Sequence, residues 1–151
     1  MAVRVQAETF HIGAEIDAIV AGRGDIGGVA TFIGYVRDFS TESGVTALTL
    51  EHYPGMTERM LEKIEAEARS RWDLADSLII HRYHRMTVGE PIVLVVTASA
   101  HRQAAFDSCA FLMDWLKTKA PFWKREEKAD GSSSWVEAKT SDDTAAERWE
   151  R

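Results

Sequence analysis

The chain contains a single cysteine, Cys109. One thiol can neither close an internal disulfide nor supply the cysteine pair of a structural zinc site. Any metal would have to be held by histidines and carboxylates. The five histidines, at 11, 52, 81, 84 and 101, form no His-Glu-x-x-His pattern. His81 and His84, three apart in a stretch of strand character, are expected on opposite faces. The expectation is therefore no metal and no cofactor. Long hydrophobic runs are also missing, so no segment is expected to span a bilayer, and the opening MAVRVQAETF lacks a basic-then-apolar leader pattern. Those two absences lead to the expectation of a cytoplasmic protein with no membrane contact. Prolines number only three, and no repeat, low-complexity tract or linker divides the chain. Residues 1–151 are read as one domain, its polar tail from about 141 to 151 flexible or ending in a short helix.

An overall excess of positive charge is lacking too: the formal net charge is −6. A general nucleic-acid binder normally presents a basic face, so the charge argues against that class. The balance is uneven, however. From His101 to Arg125 the residues Arg102, Lys117, Lys119, Lys124 and Arg125 stand against Asp107 and Asp114, a net +3, which leaves −9 on the remainder. A small basic spot on an acidic protein suits a small anionic ligand better than a polyanion.

Hydrophobic periodicity outlines the elements. VRVQ alternates as a short edge strand, and Ile12, Ile16, Ile19 and Val20 mark one face of a helix before the breaker GRGDIGG. That glycine cluster lacks the phosphate-loop spacing and is read as a turn. A strand is expected over Gly28–Arg37, with Gly34 as a bulge or close-approach glycine. TALTLEHY forms the next strand and ends at the Pro54-Gly55 turn. Thr57 is expected to cap a helix reaching Trp72, with Met60, Leu61, Ile64 and Ala68 inward and the pairs Glu65/Arg69 and Glu67/Arg71 outside. SLIIHRYHR is read as one strand, IVLVVTASA as the central strand of its sheet, and FWKREEKA with SWVEAK as a terminal hairpin. The hairpin-like pairs favour an α+β fold with a mixed, mostly antiparallel sheet.

The stretch His101–Glu126 holds the chemistry. A His-Arg pair opens a long helix, where backbone N–H groups favour anions. Phe106, Ala110, Met113 and Lys117 recur at helical spacing, so Lys117 is read as lying inside the apolar stripe near its polar edge, with Lys119 just outside the other edge. A surface lysine would snorkel there, whereas a lysine on a pocket wall would serve acid/base work. Phe111 and Trp115 fall opposite that stripe and call for a second packing surface, a dimer partner or a neighbouring strand. After the Pro121 stop, period two sends Lys124 and Glu126 to one side and Arg125 to the other. Arg37 ends its strand beside a polar loop. Together these residues describe an anion-handling site.

Several blocks then carry a resemblance: ATFIGYVRD, ALTLEHYPGMTERM, EARSRW, IIHRYHRMTVGE, SAHRQAAFDSCAFLMDWLKTKAPFWKRE and WVEAK. Together they closely resemble the large, catalytic subunits of molybdopterin synthase, the MoaE family, nearly end to end. The resemblance implies an α/β hammerhead with an additional β subdomain. It also implies conversion of cyclic pyranopterin monophosphate into molybdopterin by incorporation of two sulfurs that form a dithiolene. The sulfurs would arrive as thiocarboxylates on the C-terminal Gly-Gly tail of a small ubiquitin-like carrier subunit. In such proteins a homodimer of the large subunit carries one carrier at each end, so Cys109 need not supply sulfur. Residue by residue, Lys117 and Lys124 match the catalytic lysines. Tyr35, Val36, Arg37, His101 and Arg102 match positions lining the pterin and phosphate pocket, His101 and Arg102 from either the same chain or the neighbouring one. Arg125 and Glu126 match the segment beside the second lysine, and Lys139 stands where relatives often carry arginine. The basic cluster also fits two other classes: a partner-independent phosphoesterase-like enzyme and a non-catalytic carrier-binding module.

Overall fold

The computed structural model describes residues 2–38, 44–136 and 140–150. Lys139 therefore lies outside the described residues. The chain forms β1 (Ala2–Gln6), α1 (Ile12–Val20), β2 (Gly28–Tyr35), β3 (Val45–His52), α2 (Met56–Arg71) and β4 (Asp76–Arg82). It continues through β5 (His84–Thr87), β6 (Pro91–Ser99), α3 (Arg102–Thr118), β7 (Phe122–Lys128), β8 (Ser133–Val136) and α4 (Thr140–Glu147). One sheet has the order β1-β4-β6-β2 and the second β5-β3-β7-β8. Among the described residues only β1 and β4 pair in parallel; the other strand pairs are antiparallel. This is the expected α+β class, with the second sheet as the additional β unit.

Period two on β4 explains the layering of the first sheet. Leu78 and Ile80 pack with Phe10 and with Ile12, Ile16 and Ile19 of α1. Ile79 faces the other way, with Val93 and Val95 of β6, into Leu61 and Ile64 of α2 and Leu112 and Leu116 of α3. The apolar run of β6 is central, between β4 and β2, as its composition predicts. Leu61, Ile79, Leu94 and Leu112 are fully buried, each stabilising the fold by about 1.5–3 kcal/mol relative to exposure. Gly34 does the work expected of it. The register slips between Gly34 and Tyr35, and a Cβ on Gly34 would stand 2.8 Å from Cγ1 of Val93.

Four expectations need correction. SLIIHRYHR is not one strand: β4 ends at Arg82, and the chain crosses to the second sheet as β5, with His84 at a φ of 71°. His81 and His84 thus belong to different sheets rather than to opposite faces of one. Second, α2 is capped by Gly55, whose φ of 83° suits glycine and from whose N–H the Glu58 carboxylate accepts. Thr57 instead sits buried in the first turn, its hydroxyl donating to the Tyr53 carbonyl at 2.8 Å. Met60 is only half-buried.

The third correction concerns α3. Its buried residues are Ala105, Ser108, Cys109, Phe111, Leu112, Met113 and Leu116, whereas Phe106 is 60% exposed and Lys117 is exposed. The covered face is turned toward Phe111 because α2 and the C-terminal tail pack there. Phe111 lies 5.3 Å from the Trp72 ring and 5.7 Å from that of Trp149. Its packing surface is supplied within the chain, not by a partner or a strand. The tail ends in a short helix, and Asp114 accepts from Arg148 and from Nε1 of Trp149.

Fourth, Glu65 is not an outward pair partner but only 4% exposed. Its carboxylate accepts from Ser77 Oγ at 2.9 Å and lies 3.7 Å from Arg69. Burial raises its pKa above the ordinary glutamate value, outweighing the Ser77 hydrogen bond and the Arg69 charge. The folded form therefore holds this proton more tightly than the unfolded chain does. The group's stabilising contribution is complete below the ordinary glutamate pKa and is lost as pH rises through the raised value. Glu65→Gln keeps an acceptor for Ser77 and removes the titration. Its Tm at about pH 8 is expected to equal or exceed that of the wild type, with a smaller decline from about pH 5. A lower Tm at the higher pH would mean that the Arg69 pair outweighs desolvation.

Candidate active site at the junction of the sheets

Three chain segments reach one end of the first sheet. β2 runs antiparallel to β6, so its last residue, Tyr35, pairs with Pro91 at the start of β6. Beyond it, the Val36 N–H donates to the Glu90 carbonyl at 2.9 Å, and the Gly89 N–H donates to the Val36 carbonyl at 2.8 Å. Val36 is buried with Leu48, Leu50 and Met86 of the second sheet. Tyr35 and Arg37 on either side of it are exposed. α3 leaves the opposite end of β6 and runs back across the sheet, bringing Lys117 toward the β6 start.

The second sheet adds the next residues. Lys124 pairs with Leu50 and Glu126 with Leu48. Directly opposed cross-strand residues share a face, so both project on the face that carries the Val36 cluster. Arg125 pairs with Thr49 and Trp135 on the other face. There its guanidinium carbon is 5.8 Å from the Trp135 ring centroid, and its buried Nε has no hydrogen-bond partner among the described residues. The junction thus gathers Tyr35, Val36, Arg37, Lys117, Lys124 and Glu126, and leaves Arg125 outside.

His101 and Arg102 are also left outside within one chain. His101 is the N-cap of α3 and Arg102 its first residue, both exposed. At about 1.5 Å per residue, roughly 22 Å of helix separates Arg102 from Lys117. The two side chains do not span that.

Apart from His101, the sequence weighs the histidines only as metal ligands, and an aromatic group beneath the junction was missed. The His81 imidazole is buried and stacks on Phe122, with centroids 3.8 Å apart and planes 17° from parallel. His52 lies 6.1 Å from Phe122 and 4.4 Å from Tyr83. Both tautomers follow from the hydrogen bonds. His81 Nδ1 is 2.9 Å from the Arg82 carbonyl, which can only accept, so Nδ1 carries the proton. Thr57 Oγ1 gives its proton to the Tyr53 carbonyl and accepts from the Tyr53 N–H. It must therefore accept from His52 Nδ1, 3.2 Å away. In the neutral His81 ring Nε2 is left unprotonated. Burial, against the Arg82 carbonyl and aided by the charges of Lys117 and His52, pushes His81 down to about 4. The only available signal was the presence of His52 and His81 in the HYPGM and IIHRY blocks.

Cys109 is buried, and burial pushes its thiol up to about 11. It is no thiolate nucleophile at neutral pH. Among the described residues, no group of three or more His, Cys, Asp or Glu side chains is arranged to hold a metal, and no helix is long and apolar enough to cross a membrane. A cavity of about 310 Å³ lies instead between α2, α3 and the tail, lined by Glu67, Arg71, Phe111, Trp115, Lys119 and Trp149 among others. Its cations are matched internally, Arg71 by Glu67 at 3.0 Å and Lys119 by Glu150 at 3.5 Å.

The fold and site define an α+β protein of two sheets with a compact basic junction, a class suited to a small anionic ligand. The chain belongs to the MoaE family: the family model described as MoaE protein matches residues 5–119. The molybdopterin synthase catalytic subunit of Pseudomonas aeruginosa is 56% identical over 150 residues, covering 99% of each chain. Among solved structures, the molybdopterin biosynthesis MoaE protein from Burkholderia ambifaria superposes with a TM-score of 0.83 at 49% identity, over 99% of this chain and 98% of that one. A complex of subunits 1 and 2 of molybdopterin-converting factor from Helicobacter pylori shares the fold, with a TM-score of 0.72 at 18% identity over 91% of this chain and 90% of that one.

Lys117 is exposed and makes no ion pair among the described residues, so the fold does not need it. Lys117→Ala is expected to change the free energy of unfolding by no more than about 0.5 kcal/mol. Chemical denaturation measures this, and a loss of several times that value would give the lysine a structural role.

Proposed function

We propose that this chain is the catalytic subunit of a molybdopterin synthase. It converts cyclic pyranopterin monophosphate into molybdopterin, taking two sulfurs from the thiocarboxylated C-terminus of a small sulfur-carrier subunit. The reading is supported by the topology that sets Arg37 beside the buried Val36, Lys124 on the face of its cluster and the Lys117 end of α3 near His81, in a chain 56% identical over nearly its whole length to a molybdopterin synthase catalytic subunit. The H. pylori protein of the same fold is described as a complex of two subunits, which supports a two-component enzyme here. We further propose that residues 1–151 act as one domain, in the cytoplasm, as a homodimer with one carrier bound at each end.

The chemistry asks for two anions to be held together and for protons to be moved. A thiocarboxylate sulfur is a good nucleophile and needs no cysteine from this chain, in keeping with the inert Cys109. Arg37 supplies a guanidinium suited to a phosphate, with Tyr35 and Val36 forming the pocket wall beside it. Lys117 stands by the carrier terminus, where an ammonium stabilises the oxyanion of the acyl intermediate or transfers a proton. Lys124 protonates the oxygen that leaves as the ring opens, and Glu126, two residues along the same face, orients it. His101 and Arg102 are too far from Lys117 in one chain, so they serve the pocket of a second copy across the dimer. Arg125, on the far face of β7, supports the strand rather than touching the substrate.

The reading is tested by mass spectrometry of the product after incubating the chain with thiocarboxylated carrier and cyclic pyranopterin monophosphate. The dithiolene product is expected, and only with carrier present. Turnover of the substrate without carrier would favour a phosphoesterase-like enzyme. Carrier binding with no product would leave a binding module.

A further inference from the structure

We infer that His81 is a positioning residue for Lys117: its buried, stacked imidazole offers Nε2 as the acceptor that holds the Lys117 ammonium at the junction. The inference rests on the role proposed above for Lys117, and it adds a residue to which no part of that mechanism was assigned. Three observations carry it.

The first is placement. His81 is the next-to-last residue of β4, on the face that looks toward α3, since Ile79 two residues earlier packs against Leu112 and Leu116. It pairs with Val93 near the start of β6, the end over which α3 finishes. The second is rigidity. The ring is clamped by Phe122 on its face, by the Arg82 carbonyl at Nδ1 and by strand neighbours Val5 and Val93. Such a side chain can impose a geometry on a flexible lysine rather than adapt to it. The third is complementarity. Nδ1 is committed as a donor, so Nε2 is an acceptor with no described hydrogen-bond partner, while Lys117 has three N–H donors and no described ion pair. The Lys117 charge reaches His81 and disfavours its protonation, which keeps the acceptor available. The charged or titratable groups acting on His81 are Lys117 from α3 and His52 from β3. Phe122 of β7, with Val5 and Val93 of β1 and β6, completes its surroundings.

Two variants separate the positioning role from a structural one. The amide of His81→Asn can replace Nδ1 as donor to Arg82 but offers nothing at Nε2; that of His81→Gln returns an acceptor near Nε2. The first readout needs neither carrier nor substrate: competitive labelling of the homodimer with an amine-reactive ester, quantified by peptide mass spectrometry as Lys117 relative to Lys119. Release of a charge-assisted hydrogen bond is expected to raise the Lys117:Lys119 ratio several-fold, up to about tenfold, in His81→Asn, with His81→Gln nearer the wild type. The second readout is turnover, where His81→Asn should lower kcat by about tenfold while KM for the cyclic monophosphate holds, and His81→Gln should recover part of the loss. An unchanged labelling ratio in both variants would overturn the inference, as would equal losses in Asn and Gln accompanied by a rise in KM. If the wild type made no product at all, the proposed function would fail while the labelling result still decided the His81–Lys117 contact.

Discussion

The buried guanidinium of Arg82 is the interaction on which the arrangement depends. It is 6% exposed at the last position of β4, where the chain leaves one sheet for the other. Its Nε donates to the Ala7 carbonyl at 3.0 Å and its Nη1 to the Pro91 carbonyl at 2.9 Å, with the Glu90 carboxylate at 3.4 Å. A buried charge is tolerated only when its donors are satisfied in this way. The satisfied donors in turn tie three segments together: the end of β1, the crossover and the start of β6. Glu90 extends the tie, since its carboxylate also accepts from the Thr87 backbone, the main cause of its lowered pKa. The crossover then turns at Tyr83 and His84, and the positive φ of His84 is the local strain that this fixed exit holds.

From that fixed crossover the site follows. β5 continues into the second sheet beside β3, β3 pairs with β7, and so Lys124 and Glu126 come to lie on the face that also carries Val36 and Leu50. α3 acts as a rigid spacer. One end presents Lys117 at the junction, and the other presents His101 and Arg102 at the far end of the first sheet, with roughly 22 Å between them. A small anion bound by all of these groups cannot be held by one copy. Under the proposed function, the two ends of the helix would belong to different centres of a symmetric dimer.

Elements governed by local pattern were legible: the continuous apolar run of β6, the hairpin of β7 and β8, and the close-approach glycine at 34. Elements governed by what packs from elsewhere were not. SLIIHRYHR alternates well enough to pass as one strand, because the break at Tyr83 is imposed by Arg82 contacts outside the segment, one of them to Ala7 seventy-five residues away, and leaves no mark within it. The face of α3 was misjudged because Phe106, an apolar residue, is left uncovered while Phe111 is covered by Trp72 and Trp149. Glu65 looked like half of a surface pair, since nothing in the helix pattern announces that Ser77 lies above it. Of the candidate site, the shared face of Lys124 and Glu126 was legible from strand alternation, whereas Lys117 rested on the resemblance, its expected place inside the apolar stripe being overturned by its exposure. His81 was not, since a buried imidazole has no signature beyond its presence in a strand.

In the proposed dimer a working centre combines Lys117 of one copy with Arg102 of another. Mixing two inactive chains, one carrying Lys117→Ala and the other Arg102→Ala, tests it most directly. After subunit exchange at equal amounts, half the dimers are mixed and one of their two centres has both residues intact, so about a quarter of wild-type molybdopterin formation should return. Activity that stays at the level of either variant alone would contradict the claim, as would either variant retaining the wild-type rate by itself.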